Sequence, residues 1–263
     1  MKVGIIGYGY VGKAVASSYN EDQLLINDPV LDYSVPIEQL KAECDGIFVC
    51  VPTPQSDTGD CDTSILESVL EQLHGYTGLV ICKSTANPMV YTFFERTSGL
   101  KLAHVPEFLT QANSVNDYLN PHKIVIGSDH KLWNDIAAFI ITDKMTFKHT
   151  ANTVDCCTIG EASFFKYLAN TQLAMKVVIN NEFYDLADKM GLRWDVISHI
   201  ASTDSRLGDS HWRVPGPDGS RGFGGACFPK DTAALAALAE DLGVDMTMLT
   251  QAIIRNIEMR SQQ

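Results

Sequence analysis

The chain has no apolar run approaching the length of a membrane span. Its start, Met1 to Gly12, lacks the charged region, apolar segment and cleavage site of a signal peptide. On both counts a cytoplasmic protein is expected, without a membrane partner. An excess of positive charge is also missing: 20 Lys and Arg stand against 32 Asp and Glu, a formal charge of -12. That balance opposes sequence-independent attraction to phosphate backbones or anionic lipid, so nucleic acid is not an expected partner. Paired C-x-x-C spacing is absent as well. The seven cysteines (44, 50, 61, 82, 156, 157 and 227) are odd in number and scattered, which argues against zinc or a redox centre and for reduced thiols in a reducing compartment. Cys50 and Cys82 lie inside apolar strand-like runs and read as small core hydrophobes.

What is present is 263 residues with 45% hydrophobic content, enough for one large domain or two modest ones. From Met1 to about Ile141 short β-rich runs alternate with amphipathic helical stretches, the pattern of a parallel sheet wrapped by crossover helices. The expected strands are Lys2–Ile6, Leu24–Asn27, Gly46–Val51, Leu79–Cys82, Leu102–His104 and Lys123–Ile126. Near Thr153 the character changes. Val154–Met190 carries almost no breaker except Gly160, and its apolar residues, Phe164, Phe165, Leu168 and Leu173 among them, recur at helical spacing. One long helix, packed on several sides, is expected there, with shorter helices at Trp194–Ala201, Thr232–Leu242 and Met246–Met259. The chain thus divides into an α/β domain over 1–150 and an all-α domain over 151–263.

Strand Lys2–Ile6 runs into Gly7-Tyr8-Gly9-Tyr10-Val11-Gly12 and then a helical stretch. In a dinucleotide site such glycines permit a tight turn, close approach of a pyrophosphate and helix-on-strand packing. G-x-G-x-x-G alone is a weak signal. Here it sits between strand and helix, and Asp28 follows at the end of the second strand, the offset expected of a ribose-binding acid. The alternative, that Asn27-Asp28-Pro29 is merely a turn, does not explain the glycines. A carboxylate there accepts from ribose hydroxyls and repels a 2′-phosphate, so NAD is the expected cofactor and the first domain a Rossmann-like doubly wound sheet.

The second informative segment is Gly222-Phe223-Gly224-Gly225-Ala226-Cys227-Phe228-Pro229-Lys230-Asp231. A thiol follows a glycine stretch that lets a substrate approach the backbone, and precedes a helical run. A lone cysteine is usually core packing, but a core thiol rarely needs adjacent glycines before it and two charged residues after it. Upstream, Lys166 and Asn170 are four residues apart and share a helix face, where the plainer reading is a solvated polar stripe.

Together these residues resemble the UDP-glucose and GDP-mannose dehydrogenases. The likeness is carried by the glycine fingerprint, Val51-Pro52-Thr53-Pro54, Lys83-Ser84-Thr85, Pro106-Glu107-Phe108-Leu109, Asn120-Pro121, Lys166-x-x-x-Asn170, Arg206-Leu207-Gly208 and the Cys227 segment, in family order. The resemblance implies that Cys227 is a nucleophile and that Lys166 and Asn170 stabilise oxyanion character. It also implies that Thr85, Glu107 and Asp231 hold or activate water, and that Val51, Thr53, Ser84 and Thr85 join Gly7, Gly9, Tyr10, Val11, Gly12 and Asp28 in lining the cofactor side. Phe108, Leu109, Arg206, Phe223 and Gly224 would contact the substrate together with Lys166 and Asn170, with no metal. The implied reaction oxidises a primary alcohol of a nucleotide sugar, UDP-glucose being the commonest in the family, to a carboxylate through a thioester.

The chain also departs from the family. Members are usually longer, with a third domain that grips the nucleotide, so a short form without it is expected here. The segment His211–Arg221 does not match the family's substrate loop and lacks a Lys often found there; Trp212, Arg213 and Arg221 could supply stacking and phosphate contacts instead. Gln111 stands where many members carry an acid. In the family the long helix forms much of a dimer interface, so a homodimer is expected. Two other readings remain: a two-electron β-hydroxyacid-type dehydrogenase, which needs no thiol, and an idle NAD-binding assembly module.

Overall fold

The computed structural model describes residues 1–56, 59–146 and 154–261. In the first of its two compact units, Met1–Pro54 with Asp62–Lys166, the strands β1 (Val3–Ile6), β3 (Gly46–Val49) and β6 (Ile124–Ser128) are buried along their whole length. A strand covered on both faces gains from apolar residues at every position, which is why these segments read as unbroken runs rather than alternations. With β2 (Leu24–Asn27), β4 (Leu79–Cys82), β5 (Lys101–His104) and β7 (Val154–Cys157) they form one sheet in the order β2-β1-β3-β4-β5-β6-β7. Every neighbouring pair is parallel except β5 and β6.

The helices α1 (Tyr10–Ala16), α2 (Ile37–Glu43), α3 (Ser64–Gln72), α4 (Pro88–Thr97), α5 (Ser114–Leu119) and α6 (Trp133–Ile140) cover the two faces. Ile47 and Val49 enter a core with Leu40, Leu66 and Tyr91, while Phe48 between them enters the opposite core with Tyr19, Ile136 and Phe139. Phe48 stacks on Phe139 with ring centroids 5.6 Å apart. After β2 the chain crosses β1 to lay down β3, and that reversal leaves a crevice at the carboxyl ends of β1 and β3, where doubly wound sheets bind ligands.

The second unit, Gln55–Cys61 with Tyr167–Gln263, is helical. It contains most of α7 (Ile159–Lys189), then α8 (Trp194–Ser202), α9 (Phe228–Asp241) and α10 (Thr247–Ser261). Tyr167, Ala234, Leu235 and Leu249 make one apolar cluster, and Ala174, Val178, Phe223 and Met259 another. No helix among the described residues is long and apolar enough to cross a membrane. None of the seven cysteines is in a disulfide.

Three expectations change. Val154–Cys157 is the last strand of the sheet, not the first turn of the long helix. It pairs with β6 in parallel, and the helix begins only after Thr158, whose hydroxyl and amide exchange hydrogen bonds with Glu161 in a capping box. Secondly, the packing of α7 on several sides leaves one apolar side open on this chain, where Phe164, Leu168, Ile179, Phe183 and Leu186 are exposed. Thirdly, α9 starts at Phe228, ahead of the expected Thr232, because Pro229 suits a first helical turn, where its missing N–H costs nothing. The expected division near residue 150 lies outside the described residues. The compact units divide within α7, after Lys166.

Candidate active site

In the first unit the glycine loop is shaped by contacts that only glycine survives. Gly7 has φ +87°, and a Cβ on Gly12 would lie 2.1 Å from the Gly7 carbonyl oxygen. At Gly9 a Cβ would meet nothing within 4 Å, so the space beside it is open on the side where a ligand can approach. The carboxylate of Asp28, at the end of β2, accepts from the Tyr8 amide at 2.6 Å and the Val30 amide at 3.0 Å. These two bonds hold it beside the glycine loop and leave its other lone pairs available.

Next to this loop in the fold, the segments following β3 and β4 are tied to each other. Ser84 donates to the Val51 carbonyl and Thr53 to the Thr85 carbonyl, each at 2.7 Å, and Tyr91 donates to the Ser84 carbonyl at 2.6 Å. Val51, Thr53, Ser84 and Thr85 are thus brought together.

The segment after β5 carries Glu107, which is 7% exposed, and Lys166 at the start of α7 is 3% exposed. The Lys166 ammonium lies 3.1 Å from Glu107 Oε1 and also donates to the Glu107 backbone carbonyl. Glu107 Oε2 accepts from the Leu109 amide at 2.7 Å. Phe108 lies 5.3 Å under the same ammonium and edge-on to Phe165. A buried charge pair is tolerated when further bonds offset its desolvation, and here the Glu107 carbonyl and the Leu109 amide supply them.

Two buried titratable groups beside this pair do not stand out in the sequence as site residues. Burial pulls the Lys83 ammonium down to about 8, with Glu107 and Lys166 as its charged neighbours; the Cys50 thiol, pushed up to about 12 by its own burial, is neutral there. It sits 5.5 Å from the Tyr118 ring. Burial, then the positive charges of Lys83 and Lys166, pushes His104 down to about 3, so it is neutral. Its ring stacks on Tyr91 at 4.4 Å, and neither ring nitrogen makes a hydrogen bond of ordinary geometry. Lys83 had a signal in the sequence, since it adjoins Ser84-Thr85; His104, at the end of an apolar strand, had none.

In the second unit Cys227 is the N-cap of α9, and its carbonyl accepts from the Asp231 amide at 2.8 Å. Asp231, 1% exposed, accepts from Asn170 Nδ2 at 2.5 Å and from Lys230 Nζ at 2.6 Å. Burial alone would lower the Lys230 ammonium; Asp231, then Cys61 and Cys227, outweigh it and the net shift is upward. Asn170 and Asp231, sixty-one positions apart, are therefore joined. Cys61 also sits in this group, beside Tyr167, and no motif or spacing marks it.

Other expected substrate contacts are engaged locally. Arg206, 86% exposed, pairs with Asp204 two residues away. Arg221 pairs with Asp185 at 2.7 Å and bonds to Asn181, and Trp212 lies 4.3 Å from the Lys176 ammonium. Phe223 is buried in the apolar cluster with Met259, and Gly224 lies beneath the Arg260 guanidinium.

A seven-stranded, mostly parallel sheet bearing a glycine fingerprint, followed by a helical unit on one long helix, defines the class: a Rossmann-like protein with a helical second domain. Residues 22–142 match the NAD binding domain of the UDP-glucose/GDP-mannose dehydrogenase family, and residues 160–258 match that family's central domain. The chain belongs to this family. It is 30% identical over 231 residues to a UDP-glucose 6-dehydrogenase of Rickettsia bellii, covering 85% of this chain and 51% of the relative. It is 28% identical over 302 residues to one of Haloferax volcanii, covering 96% and 69%. The chain spans about half the length of the first of these relatives. Among solved structures, a UDP-glucose dehydrogenase from Pyrobaculum islandicum shares the fold with TM-score 0.77 at 24% identity, covering 98% of this chain and 68% of that one. A UDP-D-ManNAc dehydrogenase from Pyrococcus horikoshii does so with TM-score 0.76 at 20% identity, covering 98% and 69%.

Proposed function

We propose that this chain carries the NAD-binding and catalytic parts of a nucleotide-sugar 6-dehydrogenase, with UDP-glucose the favoured substrate and UDP-glucuronate the product. The observation that carries the reading is the group at the start of α9: a carboxylate, Asp231, buried against Asn170 and Lys230 four residues after Cys227. Burying a charge is costly, and a merely structural helix start needs no such group.

The glycine loop fits a dinucleotide, since Gly9 is open where Gly7 and Gly12 are closed by their own backbone contacts. Asp28 would hold the ribose hydroxyls, which favours NAD over NADP. NAD supplies the acceptor for a hydride in each of two oxidations. The chain's own residues do the rest. The Cys227 sulfur adds to the aldehyde carbon left by the first oxidation, giving a thiohemiacetal whose C–H bond is the second hydride's source. Water then cleaves the resulting thioester to carboxylate and thiol. Lys166 and Asn170 stabilise the oxygen as negative charge develops on it. Thr85, Glu107 and Asp231 hold or activate the water, and Val51, Thr53 and Ser84 line the cofactor.

The exposed apolar side of α7, with Phe164, Phe183 and Leu186, supports a homodimer through that helix. Sedimentation of the purified chain as a monomer at micromolar concentration would remove this part of the reading. The odd number and scatter of the cysteines support a cytoplasmic location.

The test of the reaction is NADH formed per UDP-glucose consumed, in the wild type and in Cys227→Ser. Two NADH per sugar, lost or stalled before the acid in the variant, is the expected result. One NADH, unaffected by the variant, would instead indicate the two-electron β-hydroxyacid chemistry. Binding of NAD without turnover of any nucleotide sugar would indicate the assembly module.

A further inference from the structure

Glycine stretches do not hold themselves. Gly222 and Gly225 both have positive φ, +71° and +76°, and a chain that can reach such angles can also reach many others. Order in the segment leading to Cys227 must come from outside it.

It comes in large part from one side chain of α10. Asn256, 6% exposed, accepts from the Phe223 amide through Oδ1 at 2.6 Å and donates from Nδ2 to the Phe223 carbonyl at 3.0 Å. The side-chain amide thus satisfies both polar groups of one residue's backbone. The same oxygen closes off Gly222, where a Cβ would lie 2.4 Å from it. One turn further along the same helix face, Arg260 covers Gly224, where a Cβ would lie 2.7 Å from the guanidinium, and it pairs with Asp218 at 3.0 Å. Beyond Cys227 the chain is fixed again by the first turn of α9. Only Gly224, Gly225 and Ala226 lie between the two anchors.

No other side chain of this length offers a donor and an acceptor in one plane. Asp keeps the acceptor but loses the donor, Leu has neither, and Gln is a methylene too long. We propose that Asn256 is a positioning residue for the thiol: it sets the path of the glycine segment, and through it the place of the Cys227 sulfur. The proposal rests on the reading of Cys227 as the nucleophile. In this role Asn256 acts through the Phe223 backbone and not on the substrate. Misplacing a reacting group by about 1 Å costs on the order of 100-fold in rate, so loosening the anchor should act on turnover more than on cofactor binding.

The test uses the full chain and two variants, Asn256→Ala and Asn256→Asp. Three quantities are measured on folded protein: kcat with UDP-glucose, KM for NAD, and the rate at which iodoacetamide labels Cys227, read by peptide mass spectrometry with Cys156 as the internal standard. Asn256→Ala is expected to lower kcat by roughly 10- to 100-fold, to leave KM for NAD within about two-fold, and to change Cys227 labelling several-fold relative to Cys156. Asn256→Asp, which keeps the bond from the Phe223 amide, should lose less, and it carries the test if the alanine variant does not fold. Wild-type kcat and Cys227 labelling in a folded variant would overturn the proposal, whatever its melting temperature. If the wild type oxidises no nucleotide sugar, the function fails, and the labelling comparison still decides whether Asn256 places the thiol.

Discussion

Lys166 and Glu107, fifty-nine positions apart, form an ion pair of 3.1 Å buried on both sides. Because Lys166 also donates to the Glu107 backbone carbonyl, its ammonium stays partly satisfied when the carboxylate is removed, but its charge is left uncompensated. Glu107→Leu should cost about 3–5 kcal/mol by urea unfolding, and adding Lys166→Met should recover most of that loss. A single-variant cost below about 1 kcal/mol, the range of exposed pairs, would show that the pair is not buried in solution.

Lys83 gives a pH-dependent prediction. Its ammonium falls from 10.5 to about 8 in the folded chain. Between those values the unfolded chain binds the extra proton, so this group's contribution to stability rises with pH across the window and is least favourable below pH 8. Lys83→Met should therefore be more stable than the wild type at pH 7, by up to about 3 kcal/mol, and lose the advantage as pH rises from 8 to 10.5. An advantage that does not change over that range would contradict burial of the ammonium as its origin.

His104 works in the acid direction. With its pKa pushed down from 6.5 to about 3, it contributes stability that is present above pH 6.5 and lost as pH falls toward 3. His104→Phe keeps a ring to stack on Tyr91 but has nothing to protonate. Its acid unfolding midpoint, followed by circular dichroism, should lie below that of the wild type; coincident midpoints would exclude His104 as a contributor.

The second and third glycines of the fingerprint should separate folding from binding. Gly12→Ala puts a Cβ 2.1 Å from a backbone oxygen, whereas Gly9→Ala meets nothing within 4 Å. Gly12→Ala should lower the melting temperature by several degrees. Gly9→Ala should melt with the wild type yet bind NAD at least about 10-fold more weakly, because its methyl occupies space needed by the pyrophosphate. Unchanged NAD affinity in Gly9→Ala, measured calorimetrically, would move the dinucleotide away from this loop.

Much of this protein is legible without a structure. Leu24–Asn27 and Leu79–Cys82 have the bounds expected of them, because a strand of a sheet covered by helices announces itself as an apolar run ended by turn residues. The glycine fingerprint is readable for a related reason: backbone sterics act between near neighbours in sequence. Val154–Cys157 is not legible in the same way, because one short edge strand and one helical turn of apolar residues look alike until a partner strand is known, although Thr158 and Glu161 do spell out where the helix starts.

The sequence by itself determined the doubly wound unit, the long helix, the glycine loop followed by Asp28, and the glycine segment that leads into Cys227, all through interactions that are local or periodic. The tertiary structure alone decided that Lys83 and His104 are buried beside Glu107 and Lys166, that Cys61 joins Lys230, and that Asn256 clasps the Phe223 peptide. Those facts depend on which distant segments meet and on how much water their meeting excludes, and neither burial nor a long-range hydrogen bond leaves a period or a spacing in the chain.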